Sequence, residues 1–182
     1  MRKLILSINT SIDGFISGPN GELDWHFAHF GEDLGKFVFA QLGTMDTIIA
    51  GRVTYLSMFN HFSTLNDDFA NMMNGYAKIV FSSTLTTGEW NNSRIISDHI
   101  AEEIGQLKEQ PGKDIITWGG ARTVNTLVRH NLIDEYRIFV APVVLGKGVP
   151  LFADVPARFD LEHVSSQSFD KGVVLNTYAK QK

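Results

Sequence analysis

Three short stretches gather the donors that hold an anion. They are Gly51-Arg52-Val53-Thr54, Ser82-Ser83-Thr84 and Gly119-Gly120-Ala121-Arg122-Thr123, each following a compact apolar run. Read as strand-to-helix junctions, they lie outside the carboxyl ends of parallel strands, where open α/β sheets bind ligands. A helix start there presents free N–H groups and partial positive charge. Glycine lets a phosphate come close to the backbone, and a guanidinium matches phosphate oxygens with a fork of donors. Two such junctions, each with an arginine, make a diphosphate cradle, which the hydroxyls of Thr54, Ser82, Ser83 and Thr123 complete. The plainer reading stands beside it: glycine as turn residue, serine and threonine as helix caps. No Gly-Lys-Ser/Thr follows, so this is not a P-loop, and no G-x-G-x-x-G follows the first strand.

The elements that must position these stretches alternate along the chain. Strands are expected at 4–8, 47–50, 77–81, 94–96 and 114–118, read as buried because their apolar runs are continuous. Helical spacing is carried by Leu34, Phe37, Val38 and Leu42, then by the segment from Tyr55. It recurs at Ile100, Ile104 and Leu107, with Ser97 or Asp98 as cap, and at Val124, Leu127 and Val128, with Asn131 as a left-handed stop. Residues 14–30, with Gly18-Pro19-Asn20-Gly21, read as one long loop. The last third changes character. It holds a strand at 136–144, a loop at 145–150, and strands at 159–164 and 173–178 joined by an Asp170-Lys171-Gly172 turn. The pattern predicts one α/β domain over 1–182, its mostly parallel sheet extended by an antiparallel C-terminal hairpin.

Composition narrows the classes. The 182 residues are 43% hydrophobic and 20% charged, enough apolar side chains for a filled core. A net charge of -4 argues against holding long nucleic acid by phosphate neutralisation. Phe27, Phe30, Phe37 and Phe39 lack a basic stripe and read as packing residues. There is no cysteine, hence no disulfide, thiol nucleophile or cysteine-bound metal, which fits a reducing cytoplasm. His26-x-x-His29 has metal-like spacing but no third ligand, so no metal is expected. No apolar run reaches the length of a membrane span.

The ordered set Ser11-Ile12-Asp13-Gly14-Phe15-Ile16, Asp24-Trp25, 46–55, Val80-Phe81-Ser82-Ser83, Trp118-Gly119-Gly120 and 144–152 resembles the dihydrofolate reductase-like fold. It is most similar to the stand-alone relatives of the riboflavin-pathway reductase domain, the RibD C-terminal type. The resemblance implies a three-layer sandwich with a mixed sheet of about eight strands and an antiparallel C-terminal hairpin. It implies an NADPH site: Gly51, Arg52, Val53 and Thr54 with Gly119, Gly120, Ala121, Arg122 and Thr123 on the diphosphate, and Ser82 and Ser83 with Arg52 on the 2′-phosphate. The Gly119-Gly120 bond is expected to be cis. The implied reaction is hydride transfer to a small heterocycle, as in 5-amino-6-(5-phosphoribosylamino)uracil reduction. The alternatives are a dihydrofolate or pterin reductase and a non-catalytic NADPH-binding regulatory domain.

On the substrate side, the resemblance places Asp13 against the substrate as catalytic acid; the other reading is a turn aspartate. Ile16 and Trp25 fall on the 14–30 stretch, which resembles the family's active-site loop, and Asp33 falls at the start of the first helix, near where dihydrofolate reductases carry their acid. Trp25 is either cover or an anchor to the core, and Asp33 is better explained as a partner of the helix dipole. The family's first-strand lysine is replaced by Ser7, and its neighbouring arginines by Ala40, Gln41 and Leu42. Relatives of this type pair as dimers, so a homodimer is expected.

Overall fold

The computed structural model describes residues 1–181. Its main sheet is built from β1 (Leu4–Thr10), β3 (Met45–Gly51), β4 (Ala77–Phe81), β5 (Ser93–Ile96), β6 (Asp114–Thr117), β7 (Glu135–Val140), β9 (Leu161–Ser168) and β10 (Val174–Lys180). Strand order is β5-β4-β3-β6-β1-β7-β10-β9. Neighbours from β5 to β7 run parallel, while β10 is antiparallel to both β7 and β9. Two short strands, β2 (Phe15–Ser17) and β8 (Val149–Pro150), pair separately.

Strand alternation divides the apolar residues between two helical layers. Leu4, Leu6 and Ile8 of β1 face one way, with Ile49 and Ile115, against α5 (Ile100–Glu109) and α6 (Ala121–Arg129). Ile5, Ile48, Ala50 and Ile116 face the other way, against α2 (Glu32–Leu42), α3 (Arg52–Phe62) and α4 (Asp68–Gly75). A third cluster under α2 joins Trp25, Leu34, Phe139, Phe169 and Leu175. Among the described residues no helix is long and apolar enough to cross a membrane.

Several expectations shift. Residues 14–30 are not one loop: they hold β2 and a short helix, α1 (Asp24–Ala28), and β2 finds its partner in β8, inside the expected 145–150 loop. The pairing is long-range and only two or three residues deep, so no local periodicity announces it. α4 was not expected; its cap is Asp67, whose carboxylate accepts the Ala70 N–H at 2.8 Å. α5 begins at neither Ser97 nor Asp98. His99, at φ 48°, stands at the cap without a side-chain bond. β7 ends at Val140 because Pro142 has no N–H for a ladder. Asn131 is left-handed as expected, at φ 53°, and Gly172, at φ 83°, makes the turn after Phe169.

Candidate nucleotide-binding site

The parallel register fixes where the three donor-rich stretches emerge. Ile49 of β3 lies opposite Thr117 of β6, and Gly51 opposite Phe81 of β4. The chain therefore leaves the sheet through Ser82–Ser83, 51–54 and 119–123 along one line of neighbouring strand ends. The last two touch. A Cβ built on Gly51 would lie 2.6 Å from Thr123 Oγ1, and one on Gly120 would lie 3.1 Å from Thr54 Oγ1.

Gly119 and Gly120 take φ of 99° and 80°, conformations that L side chains rarely adopt. A Cβ on Gly119 would also lie 2.5 Å from Ile8 Cδ1. Their bond is not cis as expected: among the described residues every peptide is trans. Two positive-φ glycines in succession turn the chain from β6 into α6 with the bond trans. Ile8 is the site neighbour that sequence reasoning missed. Its type says only core, and nothing local places it beneath Gly119.

The helix starts are unusual in charge. α1 carries Asp24 in its first turn, α2 Glu32 and Asp33, α4 Asp68, and α5 Glu102 and Glu103, as the helix dipole favours. α3 and α6 carry no acid in the first turn and no side-chain cap. Each carries an exposed arginine instead, Arg52 and Arg122. The other arginines all hold a carboxylate: Arg2 pairs with Asp46, Arg94 with Glu103, Arg129 with Asp154, Arg137 with Glu135 and Arg158 with Asp160. Among the described residues, the two without one are Arg52 and Arg122. A cation at a helix N-terminus is unfavourable by itself. Next to a second such terminus it is more so, unless an anion lies between them.

Ser82 and Ser83 stand one strand away. The Ser82 hydroxyl accepts the N–H groups of Thr84 and Leu85 at 3.1 and 2.9 Å, shaping the turn. Ser83 is exposed.

The substrate-side candidates are not gathered in the same way. Asp13 is exposed, and its carboxylate accepts the backbone N–H groups of Leu145 (3.1 Å) and Gly146 (2.7 Å). A hydrogen bond from the Ser11 hydroxyl, helped by these amides, holds its carboxyl below the ordinary aspartate value. Of its two readings, this is the geometry of the turn aspartate. Asp33 accepts the N–H of Leu34 (2.8 Å) and of Asp170 (2.7 Å), tying the α2 start to the hairpin turn. Trp25 is buried against Leu34 and Phe139, its Nε1 donating to the Glu22 carbonyl at 3.2 Å, which makes it an anchor. Ile16, half-buried on β2, packs against the core cluster of β1. Ser7 and Gln41 are both buried, and the Ser7 hydroxyl donates to Gln41 Oε1 at 3.3 Å.

The RibD C-terminal domain pattern matches residues 2–175. The chain belongs to the RibD C-terminal domain family. Within reach of this family, the chain is 38% identical over 183 residues to the uncharacterised protein YyaP of Bacillus subtilis (strain 168), covering 97% of this chain and 94% of that one. A putative riboflavin biosynthesis protein from Shewanella sp. PV-4 superposes with a TM-score of 0.81 at 24% identity, all of both chains being covered. Dihydrofolate reductase from Enterococcus faecalis, solved with NADP(H), superposes at 0.65 with 16% identity, covering 99% and 97%. The RibD C-terminal domain of this protein thus has the dihydrofolate reductase-like architecture, an eight-stranded mixed sheet ending in an antiparallel hairpin.

Proposed function

We propose that this chain is an NADPH-dependent reductase of a small nitrogen heterocycle. One observation carries the reading. The only two arginines without a carboxylate partner among the described residues sit at the only two helix starts of its α-helices without an acid, and these two starts touch. That arrangement fits a diphosphate, each phosphate taking backbone N–H groups and one guanidinium. Arg52 with Ser83, on the neighbouring strand end, fits a further phosphate on the ribose, which favours NADPH over NADH. When bound, NADPH supplies the hydride. The protein's part is to bind, orient and shield. Gly51 and Gly120 keep the two starts open, and the β2–β8 pair, fastened through Asp13 to residues 145–146, shapes the wall beside the end of β1.

The substrate side supports an uncharged molecule. The Ser7 hydroxyl donates to Gln41 Oε1, and Arg137, opposite Ser7 in register, is already held by Glu135. A pyrimidine or pterin without ribose phosphate suits these walls better than a phosphoribosyl compound. The test is loss of NADPH absorbance with a panel of pyrimidines, pterins and their phosphoribosyl forms. Turnover of unphosphorylated rings is expected; turnover of the phosphoribosyl form alone would reverse the substrate assignment. A second reading is binding without turnover, favoured by the commitment of both Asp13 and Asp33 to backbone amides. Tight NADPH binding with no oxidation across the panel would select it.

A further inference from the structure

The three tryptophans of the chain are held in different ways. Trp25 and Trp90 are 7% and 3% exposed. Trp25 Nε1 donates to the Glu22 carbonyl at 3.2 Å, and Trp90 Nε1 to Asn74 Oδ1 at 2.6 Å. Both are anchors, the usual state of a buried tryptophan. Trp118 is half-buried, and among the described residues its N–H is the tryptophan donor left free. Its ring is stacked on Phe69 of α4, the planes 14° apart and the centroids 6.4 Å. It stands between the end of β6 and Gly119. Alternation along β6 turns Ile115 towards α5 and α6 and Ile116 towards α2, α3 and α4, and Trp118 packs on that second side. On the neighbouring strand Leu6 lies opposite Thr117, so Ser7 comes level with Trp118.

We propose that Trp118 is the plate on which the hydride acceptor stacks, a flat unsaturated nitrogen ring lying on the part of the indole that Phe69 leaves uncovered. The inference rests on the reductase reading and adds to it the residue that selects for planarity. Strand order carries the placement. The donor-rich stretches close β4, β3 and β6, which are neighbours in that order, and the next strand is β1. A dinucleotide with its phosphates over the first three strand ends carries its reacting ring towards the fourth. α6 fills the sheet face beneath Gly120, so the acceptor meets that ring from the α2–α4 side, where Trp118 lies. Phe69 backs the indole, which fixes the plate without a bond to its N–H. Any flat ring has a π-face to lay on it, whereas a saturated ring has none. The plate therefore favours pyrimidines and pterins over aliphatic carbonyl compounds.

The test uses the full chain loaded with NADP+, so that nothing turns over, and pterin and uracil as probes. Calorimetry is expected to show binding of at least one ring, weakened about tenfold or more in Trp118→Leu and largely restored in Trp118→Phe. Both variants should keep the wild-type affinity for NADP+. The bound ring should also quench tryptophan emission more in the wild type than in Trp118→Phe, a comparison that stands even where Trp118→Leu folds poorly. A wild type that binds neither NADP+ nor NADPH fails the reductase reading, and this inference with it. With NADP+ bound, three results overturn the stacking role alone: neither ring binds, ring affinity is the same in wild type and Trp118→Leu, or quenching is the same in wild type and Trp118→Phe.

Discussion

The β3–β6 and β1–β10 halves of the sheet treat arginine in opposite ways. In the β1–β10 half, Arg137 lies on the sheet surface bonded to Glu135, which also holds Lys3. At the β3–β6 strand ends, Arg52 and Arg122 stand exposed with no carboxylate, each at the helix end that repels it. The first arrangement has its counter-charge within the chain; the second does not, and on the proposed reading an anion takes that place. A cation held by a carboxylate stabilises the fold, whereas one at an acid-free helix start is unfavourable until an anion joins it.

The strongest way to break this contrast is to reverse one free charge. Arg122→Glu is expected to weaken NADPH binding at least about 100-fold, because it removes a charge-assisted bond and adds repulsion. Its thermal stability should be unchanged or slightly higher, since an acid suits a helix N-terminus. Arg137→Ala should do the opposite, lowering the melting temperature and leaving NADPH affinity in place. Calorimetry and thermal melts on the two variants decide it; equal loss of affinity in both would erase the distinction.

Gly119→Ala sharpens the geometric side. Its Cβ would meet Ile8 Cδ1 at 2.5 Å in a backbone conformation that disfavours any side chain. A loss of roughly 1–3 kcal/mol in denaturant unfolding is expected. Asp13→Asn tests the other end of the site. As a turn aspartate it positions 145–146, so kcat/KM should fall less than about tenfold with the pH profile unmoved. A fall above a hundredfold, with loss of one limb of the profile, would make it the acid.

The smallest effect concerns Lys78, an unpaired cation of a different kind. It is buried, its Nζ donating to the carbonyls of Asn74 (2.8 Å) and Asn91 (3.0 Å) and lying 4.3 Å from the centre of the Trp90 ring. Burial pulls its pKa down from 10.5 to about 8. Between those values the unfolded chain binds the extra proton, so stability should rise with pH from about 8. Tyr76 and Tyr136, which burial pushes up to about 12, reverse the trend above pH 10. Denaturant midpoints between pH 8 and 10 should climb in the wild type and stay flat in Lys78→Met.

Legibility in the sequence followed burial. β1, β3, β4 and β6 are sealed on both faces, so their apolar runs are continuous and were read directly. β9 is exposed on both faces, and its Ser-Ser-Gln-Ser tract carries no periodic signal, so the sequence pattern shows a strand only as far as Val164. β2 and β8 are held by each other across more than a hundred residues, a contact with no local trace. The junction residues are recognisable as donors, but their adjacency depends on β3 lying next to β6, a long-range pairing that no local spacing encodes. Trp25 is open in sequence because cover and anchor suit the same residue type; the structure packs it with Phe139, and it ties Asp33, read from sequence as a helix-start acid, to the Asp170 N–H.

In the proposed function α3 and α6 start at one anion site. Calorimetric titration of the wild-type chain with NADPH tests it most directly. One site per chain is expected, with NADH binding more weakly and inorganic pyrophosphate competing. No heat and no protection from thermal unfolding at millimolar NADPH would contradict it.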